Sequence, residues 1–293
     1  MRSVGLVSAV GVIMTGVPAP AAAQTFAPNG PWEISADADS CFLKRSFGES
    51  EDALSLELQR YFPGDIRAVI KSKTLVPTKS IQVRYRLNEG PAWRENVGKF
   101  NDRSAEGSVV VFIPWAMLLP QVHSGMTSSE IAEFLRTQDL SSLEKAAGAE
   151  VRTFTLEGVF EEPITLRLGS LAAPIEALNA CFDDQLTIWG IDVAAQKNLS
   201  RLVMPTKSTE EKIYEPIAYL VSSGKPMDLT VRLIISPTGE IESCHFDKIK
   251  SPQAAVDSFC KEIRRKVDFE PALDADGNGI RSAYTYRYTN PNE

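Results

Sequence analysis

Apolar and polar residues alternate along much of the first half of the chain. The alternation covers residues 32–36, 54–58, 66–70, 81–87 and 109–113. It places one face of a strand on a core and the other face in water, as antiparallel sheets require. Residues that favour turns lie between these segments. The pattern therefore predicts a meander of short antiparallel strands.

Two helices are predicted within this β-rich region. Thr127 stands three residues before Glu130, the spacing of a capping box that satisfies free amide donors at the start of a helix. Strands are predicted again at 151–158 and 164–168. After them, residues 170–182 carry apolar side chains at helical spacing, and this helix should bring Cys181 to the sheet.

The last quarter of the chain has the pattern of a separate small unit. A helix is predicted at 210–221, followed by strands at 229–235 and 240–246 with a turn at Pro237–Gly239 between them. Residues 253–266 place their apolar side chains on one helical stripe. A final strand is predicted at 282–288. The unit is therefore expected to have the order α-β-β-α-β.

The two ends of the chain suggest an exported protein of two domains. Residues 1–23 hold one early cation, an apolar run and three alanines before Gln24, which is the layout of a cleavable export signal. An uncleaved anchor is the alternative. The mature chain is predicted to contain a β-rich domain at 24–193, a linker at 194–209 and a second domain at 210–293, in the α+β class.

The charge is moderate and spread along the chain. The formal net charge is −7 at pH 7, and no stretch marks a surface for nucleic acid or anionic membrane. Neither nucleic acid nor direct membrane insertion after signal cleavage is therefore expected.

Four cysteines allow three disulfide pairings, and in an exported protein four buried free thiols are the less favoured alternative. Cys244 and Cys260 lie close together in the last unit, whereas Cys41 and Cys181 lie near the two ends of the preceding region. The economical pairing is Cys41–Cys181 with Cys244–Cys260. The second bridge should pin the helix at 253–266 to the second strand of its sheet.

Two family resemblances follow from short motifs. Residues 24–192 resemble exported proteins of the invasion-associated locus B type, through Trp32, Ser40–Cys41, Phe47–Gly48, 178–181 and Trp189–Gly190. That resemblance implies a β-rich periplasmic domain and indicates no active site.

Residues 211–290 resemble the carboxy-terminal domain of TonB-type energy transducers, through 231–241, Cys244, Cys260, 269–274 and the tyrosine-rich last strand. The resemblance implies a small antiparallel sheet with helices on one face. It also implies binding to segments of outer-membrane receptors by strand addition. A three-stranded sheet has an edge that can template another chain. The expected partner-binding strand contains Ser282, Tyr284, Tyr286 and Tyr288.

One segment copies half of a calcium loop. Asp274, Asp276 and Asn278 alternate, and Gly279 holds the sixth position, but Thr285 stands where a bidentate glutamate is needed. A hairpin-like turn explains the same residues without a metal. No metal ligand is therefore assigned.

Catalytic residues and cofactors are not predicted either. His123 has no cysteine or acidic neighbour at ligand spacing, and His245 adjoins a cysteine that the disulfide would occupy. An aromatic set is expected in sheet core, with a ligand groove as the alternative; its members are Trp93, Phe100, Phe112 and Trp115.

These observations favour a non-enzymatic protein in the periplasm of a Gram-negative bacterium. Its second domain is expected to bind another envelope protein, such as a segment of an outer-membrane receptor, through a sheet edge. The alternative is that the first domain is a small-molecule or glycan-binding module or a cryptic hydrolase, with the second domain as a docking appendage. A pocket with convergent carboxylates would favour that alternative.

Overall fold

The structure is a computed structural model. It describes residues 23–38, 40–49, 53–62, 65–75, 82–90, 93–96, 98–102, 108–113, 118, 133–134, 137–158, 160–213, 227–247 and 253–290. The predicted export signal before residue 23, the capping box at Thr127, His123 and Trp115 lie outside these ranges. The α+β class predicted from the sequence is confirmed. Within the described ranges, no helix is long and apolar enough to cross a membrane.

The larger sheet of the amino-terminal domain has six strands in the order β2-β3-β4-β5-β9-β8, and each neighbouring pair is antiparallel. Its strands are β2 (Pro28–Ala36), β3 (Cys41–Phe47), β4 (Leu54–Phe62), β5 (Asp65–Ser72), β8 (Gly98–Asp102) and β9 (Ser108–Ile113). The edge strand β2 departs from the predicted alternation, because Ile34 is 45% exposed and its neighbours are exposed as well. An edge strand of this kind buries little of either face.

The second sheet has five strands in the order β1-β11-β10-β6-β7. Its strands are β1 (Gln24–Phe26), β6 (Gln82–Leu87), β7 (Trp93–Asn96), β10 (Thr153–Glu157) and β11 (Ile164–Arg167). Pairing of β1 with β11 is parallel. Strands β2 to β5 form the predicted antiparallel meander, but the later strands do not continue it. The chain leaves the first sheet after β5, enters the second sheet with β6 and β7, and returns with β8 and β9.

Among the described residues of the amino-terminal domain, two helices have complete bounds, α1 (Leu140–Glu150) and α2 (Ala172–Ile188), and residues 133–134 and 137 are helical as well. Alternate residues of β3, β4 and β5 meet alternate residues of β6, β10 and β11 in one core, to which α2 adds Ile175 and Leu178. The helix predicted at 170–182 is present and runs one and a half turns further. Helix α1 was not predicted.

The carboxy-terminal domain is a three-stranded antiparallel sheet with a helix on one face. Strands β13 (Met227–Ile235), β14 (Ile241–Asp247) and β18 (Ser282–Asn290) have the order β14-β13-β18. The helix α4 (Gln253–Lys266) begins and ends at the residues predicted from its apolar stripe. Of the helix predicted at 210–221, the described part is a 3₁₀ turn, Glu210–Ile213.

Residues 194–209, which separate the two predicted domains, make ordered contacts with the carboxy-terminal domain. A short helix α3 (Val193–Gln196) leads to β12 (Met204–Pro205), which pairs with β15 (Phe269–Glu270). Val203 is buried in the core beneath α4. The connection between the domains is thus anchored along its length.

The turn between β13 and β14 depends on Gly239. Its φ is +91°, a conformation that side chains rarely adopt, and an added Cβ would lie 2.3 Å from the Phe269 carbonyl oxygen. Gly239→Ala is therefore expected to lower the free energy of unfolding by more than the ~1–2 kcal/mol that a left-handed conformation alone costs. Gly277→Ala is the matched control, because Gly277 has φ +83° but open space around it. Equal losses for the two variants in urea unfolding would contradict this account.

Candidate functional site

Strand β18, the predicted partner-binding strand, lies at an edge of its sheet. It pairs with β13 along its whole length, from Ser282 opposite Ile235 to Asn290 opposite Met227. Among the strands that the structure describes, β18 has a neighbour on this one side. An edge strand presents a row of backbone groups to which an extended segment can pair.

Three of the four residues expected at the binding strand have described side chains, and each of the three already has a partner within this chain. Ser282 is buried, and its hydroxyl donates to the Gln196 side-chain oxygen at 2.9 Å. The ring of Tyr284 meets that of Phe269 edge to face, with centroids 5.1 Å apart. Tyr286 packs against the same core. Recognition at this strand would therefore fall to its main chain.

Tyr288 lies in the half of β18 nearer the end of the chain, opposite Leu229 of β13. That half also contains Thr289, opposite Asp228. The contacts described below between β18 and the amino-terminal domain are made by residues of its first half.

The face of β13 opposite α4 is also buried. Thr230, Arg232 and Ile234 alternate with the core residues of β13 and are 3%, 5% and 3% exposed. Ile234 and Ala283 pack with apolar residues of the other domain, which lie in the last turns of α2 or directly after it. These residues are Phe182, Leu186, Trp189 and Ile191. The amino-terminal domain therefore covers the outer face of the sheet at β13 and at the first half of β18.

Three residues form the polar centre of this contact, and we call them the interdomain joint: Ala38, Trp189 and Arg232. The Arg232 guanidinium lies over the Trp189 ring, 3.9 Å from its centroid. Arg232 Nη1 donates to the Ala38 carbonyl oxygen at 2.8 Å, and Trp189 Nε1 donates to the same oxygen at 3.2 Å. A desolvated cation–π contact contributes about 2 kcal/mol, so burial of this cation is offset locally.

The turn that carries Ala38 is held in place by its own residues. The Asp37 carboxylate accepts from the Ser40 backbone N–H at 2.7 Å, and the Asp37 carbonyl accepts from Gln185 at 2.8 Å. The next residue, Cys41, is bonded to Cys181 of α2, with Cα atoms 6.1 Å apart. Ala38 and Trp189 are thus fixed to the same helix.

The end of α2 sets the direction of Trp189. Gly190 has φ +71°, and the N–H of Ile191 donates to the carbonyl oxygen of Leu186 at 2.9 Å, which closes the helix. Arg281, just before β18, donates to the Trp189 carbonyl and forms an ion pair with Glu242 at 2.5 Å. The joint is therefore flanked by a second contact between the domains.

Both disulfides predicted from the sequence are present. Cys244 on β14 is bonded to Cys260 on α4, with Cα atoms 5.8 Å apart. Cys260 is buried among the residues between helix and sheet. The bridge pins α4 to the second strand, as expected, and the described residues contain no free cysteine.

The segment that resembles half of a calcium loop is the turn between β16 (Ala272–Leu273) and β17 (Gly279–Ile280). The carboxylate of Asp274 accepts backbone N–H groups from Asp276 at 3.0 Å and Asn278 at 2.8 Å. The hydrogen bond from the Asn278 backbone holds the pKa of Asp274 below its usual range. A hairpin turn thus explains these residues, and the described residues contain no cluster with metal-ligand composition.

The other candidate positions do not form a described site. His245 is exposed on β14, opposite Arg232 of β13. Trp93, Phe100 and Phe112 lie on β7, β8 and β9, and their side chains are outside the described part of the structure.

An apolar cavity lies in the core of the amino-terminal domain, between the two sheets. Its volume is about 20 Å³, roughly the room for one water molecule. The described side chains around it are aliphatic or aromatic and include Leu56, Tyr85, Phe154 and Leu171, without a carboxylate. This cavity does not provide the convergent polar groups of an active site.

Known proteins give no further guide. Comparisons with protein-family models, with curated proteins and with solved structures found no significant match.

The joint was not predicted as a site. Trp189 and Gly190 were noted in the sequence for a family resemblance, and Arg232 lay among the polar positions of a strand. The one signal available was a large aromatic residue directly before the glycine that ends a helix. Its partners lie 151 and 43 positions away along the chain, beyond the reach of any periodic pattern.

Proposed function

We propose that this chain is a non-enzymatic periplasmic protein that binds an extended segment of another envelope protein by strand addition to β18. The position of β18 at the edge of the three-stranded sheet carries the proposal. The resemblance to TonB-type domains supports it, since strand addition to the last strand is expected there. The two disulfides are consistent with export to an oxidising compartment.

The direction of the side chains favours recognition by the main chain. In strand addition, backbone hydrogen bonds supply affinity and the pockets for alternate side chains supply specificity. Ser282 and Tyr284 already have partners within this chain. An incoming segment would therefore be selected more for its ability to extend than for one particular side chain.

The half of β18 from 287 to 290 is the preferred place for the first contact. The register places it opposite 227–230. In the other half, Ala283 and Thr285 contact the amino-terminal domain. A segment that pairs with 287–290 meets the sheet edge away from these two contacts.

Photo-crosslinking in cells tests this proposal. Benzoylphenylalanine at Thr289 of the full chain is expected to give adducts with one envelope protein, and the crosslinked peptides should map to one extended segment. The same residue at His245, which is exposed on the opposite edge strand β14, serves as the matched control. Absence of adducts at 289, or the same adducts at 289 and 245, would contradict strand addition to β18.

A further inference from the structure

We propose that the amino-terminal domain is a cap that confines strand addition to the half of β18 from 287 to 290, and that opening the interdomain joint exposes the first half. The confinement rests on the proposed function. The cap itself rests on contacts between the domains and can be tested separately.

The first half of β18 lies directly against the amino-terminal domain. Ala283 packs in the apolar cluster with Trp189 and Ile191. Two residues further along, the Thr285 hydroxyl contacts the Tyr61 carbonyl oxygen at 3.5 Å. The outer side of β18 therefore faces main chain of β4 at this point.

The contact between Thr285 and Tyr61 limits the space for another strand beside the first half of β18. An added strand would lie about 4.8 Å beyond β18, and alternate side chains would project to the same outer side as Ala283 and Thr285. The main chain around Tyr61 lies beside Thr285 on that side. An incoming segment at the first half would therefore compete with the amino-terminal domain for this space.

The polar part of the contact between the domains is concentrated in few groups. The Ala38 carbonyl receives both the Arg232 and the Trp189 donors. Loss of the Arg232 guanidinium would remove the cation–π contact and one donor to Ala38. The apolar cluster and the contacts of Arg281 and Thr285 would then hold the domains together. A segment that pairs with the longer edge favours the open state, because a ligand shifts an equilibrium by its differential affinity for the two states.

Hydrogen exchange on the full chain tests the cap. The variant Arg232→Met keeps an unbranched side chain over the Trp189 ring but removes the hydrogen-bond donors. In this variant, amides 282–286 are expected to exchange at least tenfold faster than in the wild type. Amides of α4 should keep their wild-type rates. Lys145→Met is the matched control, because Lys145 loses an exposed ion pair with Glu176 far from the joint.

A second variant, Trp189→Leu, disrupts the same joint by a different substitution, so that the conclusion does not depend on one variant. The cap is supported if either variant accelerates exchange at 282–286 while α4 keeps its rates. It is overturned if neither variant changes exchange at 282–286. It is also overturned if both accelerate exchange in α4 equally, because the joint would then be part of the stability of the domain itself.

Crosslinking separates the cap from the proposed function. With benzoylphenylalanine at 289, Arg232→Met should give several-fold more adduct than the chain with Arg232 if the cap confines binding. Equal adduct in both chains, with exchange accelerated, would overturn confinement and leave strand addition standing. No adduct in either chain would overturn the proposed function, and exchange alone would then decide the cap.

Discussion

Replacing both Cys41 and Cys181 by alanine should lower the free energy of unfolding of the amino-terminal domain by about 2–5 kcal/mol. The bridge joins residues 140 positions apart, and loop-closure entropy for so long a loop approaches 5 kcal/mol. Cys41 lies at the start of β3 and Cys181 in α2, so the loss should also loosen the turn that carries Ala38. Equilibrium urea unfolding measures the first effect, and hydrogen exchange at 282–286 measures the second.

The second disulfide supplies the control. Cys244 and Cys260 are 16 positions apart, and their replacement by alanine should lower stability by about 3 kcal/mol. This loss should fall on the carboxy-terminal domain and leave exchange in β3 and α2 unchanged. If removal of Cys41–Cys181 leaves the turn at 37–40 as protected as before, the bridge does not support the joint.

Glu144→Leu should lower the free energy of unfolding by about 3–5 kcal/mol, because it leaves a buried cation without its counterion. Arg60 of β4 points to the core side and is 2% exposed, and Glu144 of α1 is 3% exposed. Their nitrogen and oxygen atoms are 2.7 Å apart. Urea unfolding of the full chain measures the loss.

The double variant Arg60→Met with Glu144→Leu is the informative control. A buried ion pair replaced as a whole by apolar residues is often neutral or stabilising by about 1–4 kcal/mol. The double variant should therefore regain most of the stability that the single variant loses. A double variant as unstable as the single one would show that the pair itself, and not an uncompensated charge, stabilises the domain.

Regular patterns in the sequence predicted the elements whose residues contact near neighbours. The stripe of apolar residues at 253–266 predicted α4 to the residue. Alternation predicted β4 and β5, which the structure extends by a few residues because a strand continues wherever its neighbour can pair with it. The disulfides followed because four cysteines in an exported chain have few pairings.

Helix α1 shows where local reasoning missed an available signal. Apolar residues are sparse in Leu140–Glu150, so the stripe is weak. The Asp139 carboxylate, however, accepts from the Ser142 backbone N–H at 3.2 Å and caps the helix. An aspartate three residues before a serine is a start signal of the kind that was sought at Thr127.

Pairing between segments that are distant along the chain has no local signal in the sequence. The parallel partner of Gln24–Phe26 is a strand 140 positions later, and Arg232 donates to a carbonyl 194 positions earlier. A strand pattern shows which residues share a face but does not show what covers that face. The sequence therefore predicted an edge strand on a sheet with one covered face, whereas in the structure β13 is covered on both faces.

The central claim is that an extended segment adds to β18 of a sheet whose outer face is capped. Hydrogen exchange of the full chain measures this most directly, with and without a synthetic peptide of the segment recovered by crosslinking at 289. The account predicts that amides at 287–290 gain protection on binding, that β14 does not, and that Arg232→Met extends the protection to 282–286. Protection gained on β14, or none on β18, would contradict it.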